Sequence, residues 1–288
     1  MRNCDYIRDS ANRLWIVAGE VSSTHGNSKV FAHLVYEPSD CGDRILNGVR
    51  YKKVINQKEN FIPRIVSDIV ARYEPQKCFS DSYERLPTRW RSVADAIVGC
   101  GVPRASIGIF GSYLLGFETK KDIDFVVYGK RNRDLVFSQI KSLKSNSLAA
   151  DISCEHVAYQ ASTKGIAFSS ENSWQQMLAN KWSSLQFADG ILSTIRFVYE
   201  YGEEPRDLWR NAPIHEETIE GIVRDAWMSD FNPRQFTLRT HRGDFSVGTY
   251  FWIYQSCVRD GDFVRVRGLR RENNCLTLDD FGHSIHYL

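Results

Sequence analysis

Two aspartates within one short apolar segment are the residues of this chain best suited to chemistry. Asp122 and Asp124 alternate with apolar residues in "DIDFVVYG". Residues two apart on a β-strand share a face, so both carboxylates are expected on one side, with Ile123, Phe125 and Val127 facing the core. Charges roughly 6 Å apart repel by about 3 kcal/mol at an effective dielectric near 20. Because Mg²⁺, or Mn²⁺ in its place, binds such carboxylates together with phosphate oxygens, the pair predicts a metal site that faces a phosphate.

A Gly-Ser pair precedes these aspartates at a distance that suits a phosphate ligand. Gly111 and Ser112 follow the apolar run "ASIGIF", and nine residues separate Ser112 from Asp122. Glycine lets the backbone approach a ligand closely, and we expect a helical turn over residues 113–117 whose N–H groups attract anions. Lys120 and Lys121 are further candidates for the phosphates, although an exposed turn is the more common explanation of such a pair.

The neighbouring segments predict a mixed α+β or α/β fold in three parts. Strand patterns with turn-like connections fill residues 1–58. Apolar residues at helical intervals predict helices over residues 60–76 and 87–101, followed by the order strand, Gly-Ser turn, strand, helix. Residues 171–190 are predicted to be helical. Residues 191–202 are either the tail of that helix or, as the preferred prediction, a strand. From about residue 214, short β segments predict a small barrel or sandwich over residues 211–288.

Composition excludes several classes of protein. The chain has 288 residues, 42% of them hydrophobic, and a net charge of only +2, so no overall attraction to nucleic acid can be argued. Seven scattered cysteines without a C-x-x-C pair predict neither a disulfide framework nor a zinc site, and favour the reducing cytoplasm. The chain has no run of 18 apolar residues and no apolar leader, so a membrane partner is not expected.

The combined motif resembles the active-site signature of the DNA polymerase beta superfamily of nucleotidyltransferases. It reads Phe110, Gly111, Ser112, nine residues, and then "DIDF" from Asp122. The longer segments "FAHLVYEP", "GVRYKKV", "GSYLLGFETKKDIDFVVYGK" and "DGDFVRVRGLRR" are similar to a mostly archaeal group of predicted nucleotidyltransferases. The resemblance implies a minimal nucleotidyltransferase core at residues 59–210, between a β-rich N-terminal unit and a small C-terminal β-barrel.

The resemblance also implies a reaction and a set of roles. Asp122 and Asp124 are then the catalytic and metal-binding residues, while Gly111 and Ser112 hold the triphosphate of ATP or another nucleotide. Arg196 is placed near the active site, although a surface ion pair would explain it as well. The family's third carboxylate has three candidates by position, Asp151, Glu155 and Glu200. The expected reaction moves a nucleoside monophosphate to a hydroxyl group of RNA, with a tRNA end as first candidate, or of protein.

The C-terminal β unit offers a second route to nucleic acid. Arg265 and Arg267 alternate along one segment, with two further arginines and an aromatic run nearby, "TYFWIYQS". Arginines interleaved with aromatic residues suit phosphate contacts and base stacking, but a barrel core needs the same aromatic residues. Two other functions therefore stay open: nucleotide binding without turnover, and nucleic-acid binding without catalysis.

Overall fold

The computed structural model describes most of the chain and divides it into two compact units. The described residues are 1–21, 29–54, 60, 63–117, 122–145, 149–151, 153, 155, 171–187, 192–205, 207–209, 211–251, 254–280 and 282–288. The first unit comprises Met1–Ile55, Pro63–Ile152 and Ser183–Glu203, and the second comprises Asn56–Ile62, Ser153–Trp182 and Glu204–Leu288. The fold is mixed α+β and mostly sheet.

The first unit begins with an antiparallel sheet, the N-terminal sheet. Its strands are β1 (Tyr6–Asp9), β2 (Leu14–Val21), β3 (Lys29–Pro38), β4 (Arg44–Leu46), β5 (Val49–Lys53), β6 (Arg64–Val66) and β7 (Ile69–Tyr73). They are ordered β4-β5-β3-β2-β1-β7, and β6 pairs with the first half of β3. Buried residues lie on both sides of this sheet in two separate clusters, so it contributes to two cores.

The helix predicted over residues 60–76 is wrong, because Arg64–Val66 and Ile69–Tyr73 form strands β6 and β7. Ile65 and Val70 are more than half exposed, whereas Val66 is buried, which does not fit a single apolar helical face. β-branched residues favour strands, and β7 gains a full ladder with β1. Nonlocal pairing therefore overrides the helical spacing.

The central sheet carries the motif. Its strands are β8 (Ile107–Phe110), β9 (Asp122–Tyr128), β10 (Ala149–Asp151), β11 (Ser184–Phe187) and β12 (Leu192–Val198), in the order β10-β11-β12-β9-β8. β12 runs parallel to β9, and the other pairs are antiparallel. The helices of this unit are α1 (Pro75–Ser82), α2 (Thr88–Gly99) and α3 (Lys130–Ser145). Helix α2 confirms the prediction over residues 87–101.

Strand β9 is covered on both faces along its second half. Ile123, Phe125 and Val127 are buried as expected, and Phe125 lies edge-on to Phe79 of α1. The opposite face is also buried, since Val126 and Tyr128 share a core with residues of the N-terminal sheet. Asp124 is half-buried, just before this covered part begins.

The second unit contains a closed five-stranded barrel, as the C-terminal β segments predicted. Its elements are α4 (Glu171–Asn180), β13 (Pro213–Arg224), β14 (Arg234–Thr240), β15 (Gly243–Thr249), β16 (Phe263–Arg271), β17 (Cys275–Leu278) and β18 (Ser284–Tyr287). The barrel order is β13-β14-β15-β17-β16, closed by pairing of β16 with β13, while β18 extends β16. The fourth strand returns beside the first, which is a Greek-key order.

None of the helices in the described part of the chain has both the length and the apolar composition needed to cross a membrane.

Candidate functional site

The Gly-Ser turn begins where β8 ends. Gly111 has a φ of +76°, a backbone conformation that residues other than glycine adopt at an energetic cost. Residues 111–116 form consecutive turns, in which the N–H of Gly116 donates to the carbonyl of Tyr113 at 2.9 Å. The helical turn expected over residues 113–117 is therefore wrong, and any anion binding here depends on the turn itself.

Aromatic packing fixes the turn from two sides. Phe117 lies 5.2 Å from the ring of Tyr36 and 6.0 Å from that of Tyr51, both on the N-terminal sheet. On the other side, the ring of Tyr113 lies 5.3 Å from Trp90 of α2. The apolar residues between the Gly-Ser pair and the aspartates thus anchor the turn in the core of this unit.

Asp124 lies directly against the Gly-Ser turn. Its register partner on β8 is Phe110, the residue before Gly111. A Cβ atom at Gly111 would lie 3.0 Å from Oδ2 of Asp124, so only glycine leaves the carboxylate undisturbed. Asp122 is the first residue of β9, two positions earlier on the same strand, and Lys120 and Lys121 lie outside the described residues.

Arg196 approaches the same place from β12. Its guanidinium lies 4.5 Å from the ring centroid of Phe110. The side chain is half-buried, its Nε has no hydrogen-bond partner, and it forms no ion pair within the described part of the chain. A half-buried guanidinium in this state is suited to an anionic ligand, since burial without a partner is costly.

Tyr6 of the N-terminal sheet completes this cluster. Burial raises the pKa of its phenol well above the usual range, and among nearby charges Arg196 lowers the pKa while Asp124 raises it. Both charges therefore act on one buried hydroxyl group. Sequence reasoning missed Tyr6, because it is more than 100 residues from Asp124 and no local pattern marks it.

The first candidate for the third carboxylate, Asp151, lies away from the aspartate pair. The ladders align Asp151 with Leu185, Ser193 and Ile123 in one row across four strands. Three strand spacings place it about 14 Å from β9, and register partners share a face, so it shares the face of Ile123 rather than that of Asp124. Its carboxylate also pairs with Lys144.

The second candidate, Glu200, does not adjoin Asp124 either. Glu200 is exposed beside Gly129, where a Cβ atom would lie 3.2 Å from its Cδ, and Gly129 follows the far end of β9. Glu155 is exposed and belongs to the second unit. The residue aligned with Asp124 on β12 is Thr194, so the described part of β12 carries no acid.

The barrel arginines are engaged within the second unit. Nε of Arg265 donates to Oε1 of Glu220 at 2.6 Å, and Nη2 of Arg267 donates to Oε2 of Glu216 at 2.7 Å. Arg271 is buried against Asp279. Because each of these three arginines already contacts an acidic side chain of its own unit, the contacts do not favour phosphate binding by them.

The aromatic run of the barrel is largely internal. Tyr254 is buried in the barrel core, and Tyr250 lies 4.3 Å from Trp209, measured between ring centroids. Trp252 lies outside the described residues. Some Greek-key barrels of five strands bind oligonucleotides on their second and third strands. Here a Cβ at Gly248, on the third strand, would lie 2.6 Å from Leu208, so part of that face is covered.

A divalent cation fits the aspartate pair only with help from a ligand. In the residues that the structure describes, no group of three or more His, Cys, Asp or Glu side chains could hold a metal ion. Magnesium sites with nucleotides commonly use one or two carboxylates, and phosphate oxygens supply further ligands. The aspartate pair suits such a shared site better than a self-contained metal centre.

No family model, curated protein or solved structure matches this chain.

Proposed function

We propose that this chain is a divalent-metal-dependent nucleotidyltransferase. It would move a nucleoside monophosphate from a nucleoside triphosphate to a hydroxyl group of RNA or protein. The observation that carries the proposal is the close approach of Gly111 to Asp124, 3.0 Å from a would-be Cβ to Oδ2. That approach joins the phosphate-binding and metal-binding halves of the motif, which are separated in sequence.

Each residue has a role that follows from its chemistry. Asp122 and Asp124 hold the metal, which when bound neutralises phosphate charge and orients the triphosphate. The Gly111 backbone and the Ser112 hydroxyl contact the β and γ phosphates, and Arg196 contacts a further phosphate oxygen. The acceptor oxygen attacks the α-phosphorus, the bond to pyrophosphate breaks, and the acceptor proton passes to solvent or to a base. Catalysis is then mostly positioning and charge neutralisation.

Thr194 favours a second candidate, nucleotide binding without turnover. Thr194 stands opposite Asp124 on the adjoining strand, where an acid would be well placed to activate an acceptor. A threonine hydroxyl is not a base at neutral pH. The connection between β11 and β12, residues 188–191, contains Asp189 and lies outside the described residues. Asp189 is therefore included in the test below.

The test is incubation with each α-³²P-labelled nucleoside triphosphate, Mg²⁺ or Mn²⁺, and total cellular RNA. Label on RNA is separated from label on protein. The first variant carries Asp122→Ala and Asp124→Ala together. Its matched control carries Asp40→Ala and Asp43→Ala, which remove two exposed carboxylates from the same unit.

We expect label that the control retains and the Asp122/Asp124 variant loses. Nucleotide binding without label would instead support the second candidate. Loss of label with retained binding in Asp189→Asn would identify the activating acid. Neither labelling nor nucleotide binding in the unmodified protein would refute both functions.

A further inference from the structure

Helix α3 concentrates positive charge that the rest of the chain lacks. Its 16 residues, "KRNRDLVFSQIKSLKS", contain five basic residues and one acidic residue, whereas the whole chain has a net charge of +2. The basic face of such a helix is usually only solvated. Whether it can bind an anionic partner depends on which of its basic side chains already form ion pairs within the protein.

Two of the basic side chains have no acidic partner. Arg131 and Lys141 are exposed and form no ion pair with the residues that the structure describes. By contrast, Arg133 pairs with Asp134 at 2.9 Å and Lys144 pairs with Asp151. Lys141 is ten positions after Arg131, which corresponds to about 15 Å along the helix axis. Two unneutralised cations at that separation suit an extended polyanion.

An exposed aromatic ring lies between these two cations. The side chain of Phe137 is 48% exposed. The guanidinium of Arg133 lies 4.4 Å from the centroid of its ring. A ring flanked by cations offers a stacking surface for a base while the cations contact phosphates, the combination used to bind single strands.

The far end of α3 lies at the same edge of the central sheet as the aspartate pair. Lys144, in the last turn of α3, pairs with Asp151. Asp151 belongs to the row of Ile123, the residue between Asp122 and Asp124. A polyanion bound along α3 would therefore run toward the edge of the central sheet that carries the motif, on the face opposite to Asp124.

We propose that α3 binds single-stranded RNA through Arg131, Lys141 and Phe137. This surface differs from the C-terminal β unit, where Arg265 and Arg267 are paired with Glu220 and Glu216. If the proposed nucleotidyltransferase function holds, this RNA is the acceptor of the nucleotide, and that part of the proposal rests on the proposed function. The binding of RNA to α3 does not depend on that function.

The test is fluorescence anisotropy with a labelled single-stranded 20-nucleotide RNA of mixed sequence, titrated with the full-length protein at several salt concentrations. The first variant carries Arg131→Gln and Lys141→Gln. Its matched control carries Arg265→Gln and Arg267→Gln, which remove the same charge from the barrel. A third variant, Phe137→Ala, removes the ring and leaves the charges.

We expect the α3 charge variant to weaken binding about tenfold at low salt and to reduce the slope of log K against log salt by about 1.4, the contribution of two phosphates. Phe137→Ala should weaken binding roughly tenfold with an unchanged slope, because stacking releases no counterions. The barrel control should leave affinity and slope unchanged.

Three results would overturn the proposal: no RNA binding by the unmodified protein, an unchanged slope in the α3 charge variant, or an equal loss in the barrel control. The variant with Asp122→Ala and Asp124→Ala separates the two proposals, because it should lose nucleotide transfer and keep RNA binding. If RNA binding depends on α3 while no nucleotide transfer occurs, the proposed function fails and the α3 proposal stands.

Discussion

Replacing Gly111 by alanine isolates the contact on which the proposed site depends. Gly111 has a φ of +76°, and its Cβ would lie 3.0 Å from Oδ2 of Asp124. Gly116 lies in the same turn with a φ of +75°, and nothing lies within 4 Å of its Cβ position. Gly116→Ala is therefore a matched control with the same backbone strain and no contact with the carboxylate.

The strain and the contact have separate magnitudes. A left-handed backbone costs an alanine about 1–2 kcal/mol, and both variants should lose that stability. For a domain of this size, such a loss lowers Tm by roughly 2–8 °C. In Gly111→Ala, the methyl group must also displace the Asp124 carboxylate by a few tenths of an ångström. Because that carboxylate oxygen is a metal ligand in the proposed site, its displacement should weaken binding of the nucleotide with Mg²⁺. A misplacement of 1 Å in an active site can cost about a hundredfold, so a few tenths of an ångström should cost roughly tenfold.

The assay measures both consequences on the same protein samples. Thermal unfolding gives the shared loss of stability, and binding of a fluorescent nucleoside triphosphate with Mg²⁺ gives the site effect. We expect similar Tm values for the two variants but at least tenfold weaker nucleotide binding in Gly111→Ala alone. Equal nucleotide affinities in both variants would refute the assignment of Gly111 and Asp124 to one nucleotide site.

Two further predictions concern the barrel. Arg271→Met should lower the free energy of unfolding of the second unit by about 3 kcal/mol, because Asp279 loses a buried partner. Arg265→Met removes an exposed ion pair and should cost under about 1 kcal/mol. Urea unfolding measures both losses, and equal losses would contradict the argument from burial. The second prediction concerns His283, whose Nδ1 accepts hydrogen bonds from the backbone N–H groups of Asp279 and Asp280 at 2.9 and 3.0 Å. Burial lowers the pKa of His283 below 6.5. Nearby acids oppose this shift, and Arg267 adds to it. The folded unit then binds fewer protons than the unfolded chain, so its stability should fall as pH drops below about 6.5, and urea midpoints at pH 7.5 and 5.0 should show a smaller difference in His283→Gln.

The motif and the barrel could be predicted because their signals are local. The apolar runs of β8 and β9 flank a Gly-Ser pair, and helix α2 buries Trp90, Val93, Ala94 and Ile97 at helical spacing. In the barrel, short β segments alternate with turn residues along the chain. Such patterns indicate which face of a helix or strand is buried, and the structure shows the same residues buried.

The strands β6 and β7 could not be predicted because their stability comes from distant partners. Arg64–Val66 pairs with the start of β3, and Ile69–Tyr73 pairs with β1. Neither partner is adjacent in sequence. Five aliphatic residues at i, i+3 and i+4 positions fit a helix and two short strands equally well, and only the sheet decides between them.

The surroundings of Asp124 were also beyond local reasoning. Thr194 and Arg196 reach it through the register of β12 on β9, and Tyr6 reaches it from the N-terminal sheet. Register depends on how whole strands align, and one residue of slip would place the opposite face of β12 against the site. For this reason local patterns identified the site's own turn and strand, whereas Arg196 was expected only from the family resemblance, and Thr194 and Tyr6 were not expected.

The position of the two aspartates on β9 follows from where the N-terminal sheet covers that strand. From Val126 onward both faces of β9 are buried, and a charge there would lose its solvation without compensation. Asp124 is half-buried just before that boundary, and Arg196 on the neighbouring strand lies on the same face of the sheet. The N-terminal sheet contributes Tyr6 to the cluster and also holds the Gly-Ser turn through Phe117. It therefore belongs to the proposed site as much as the central sheet does, and a chain without residues 1–54 should lose nucleotide binding even if the central sheet forms.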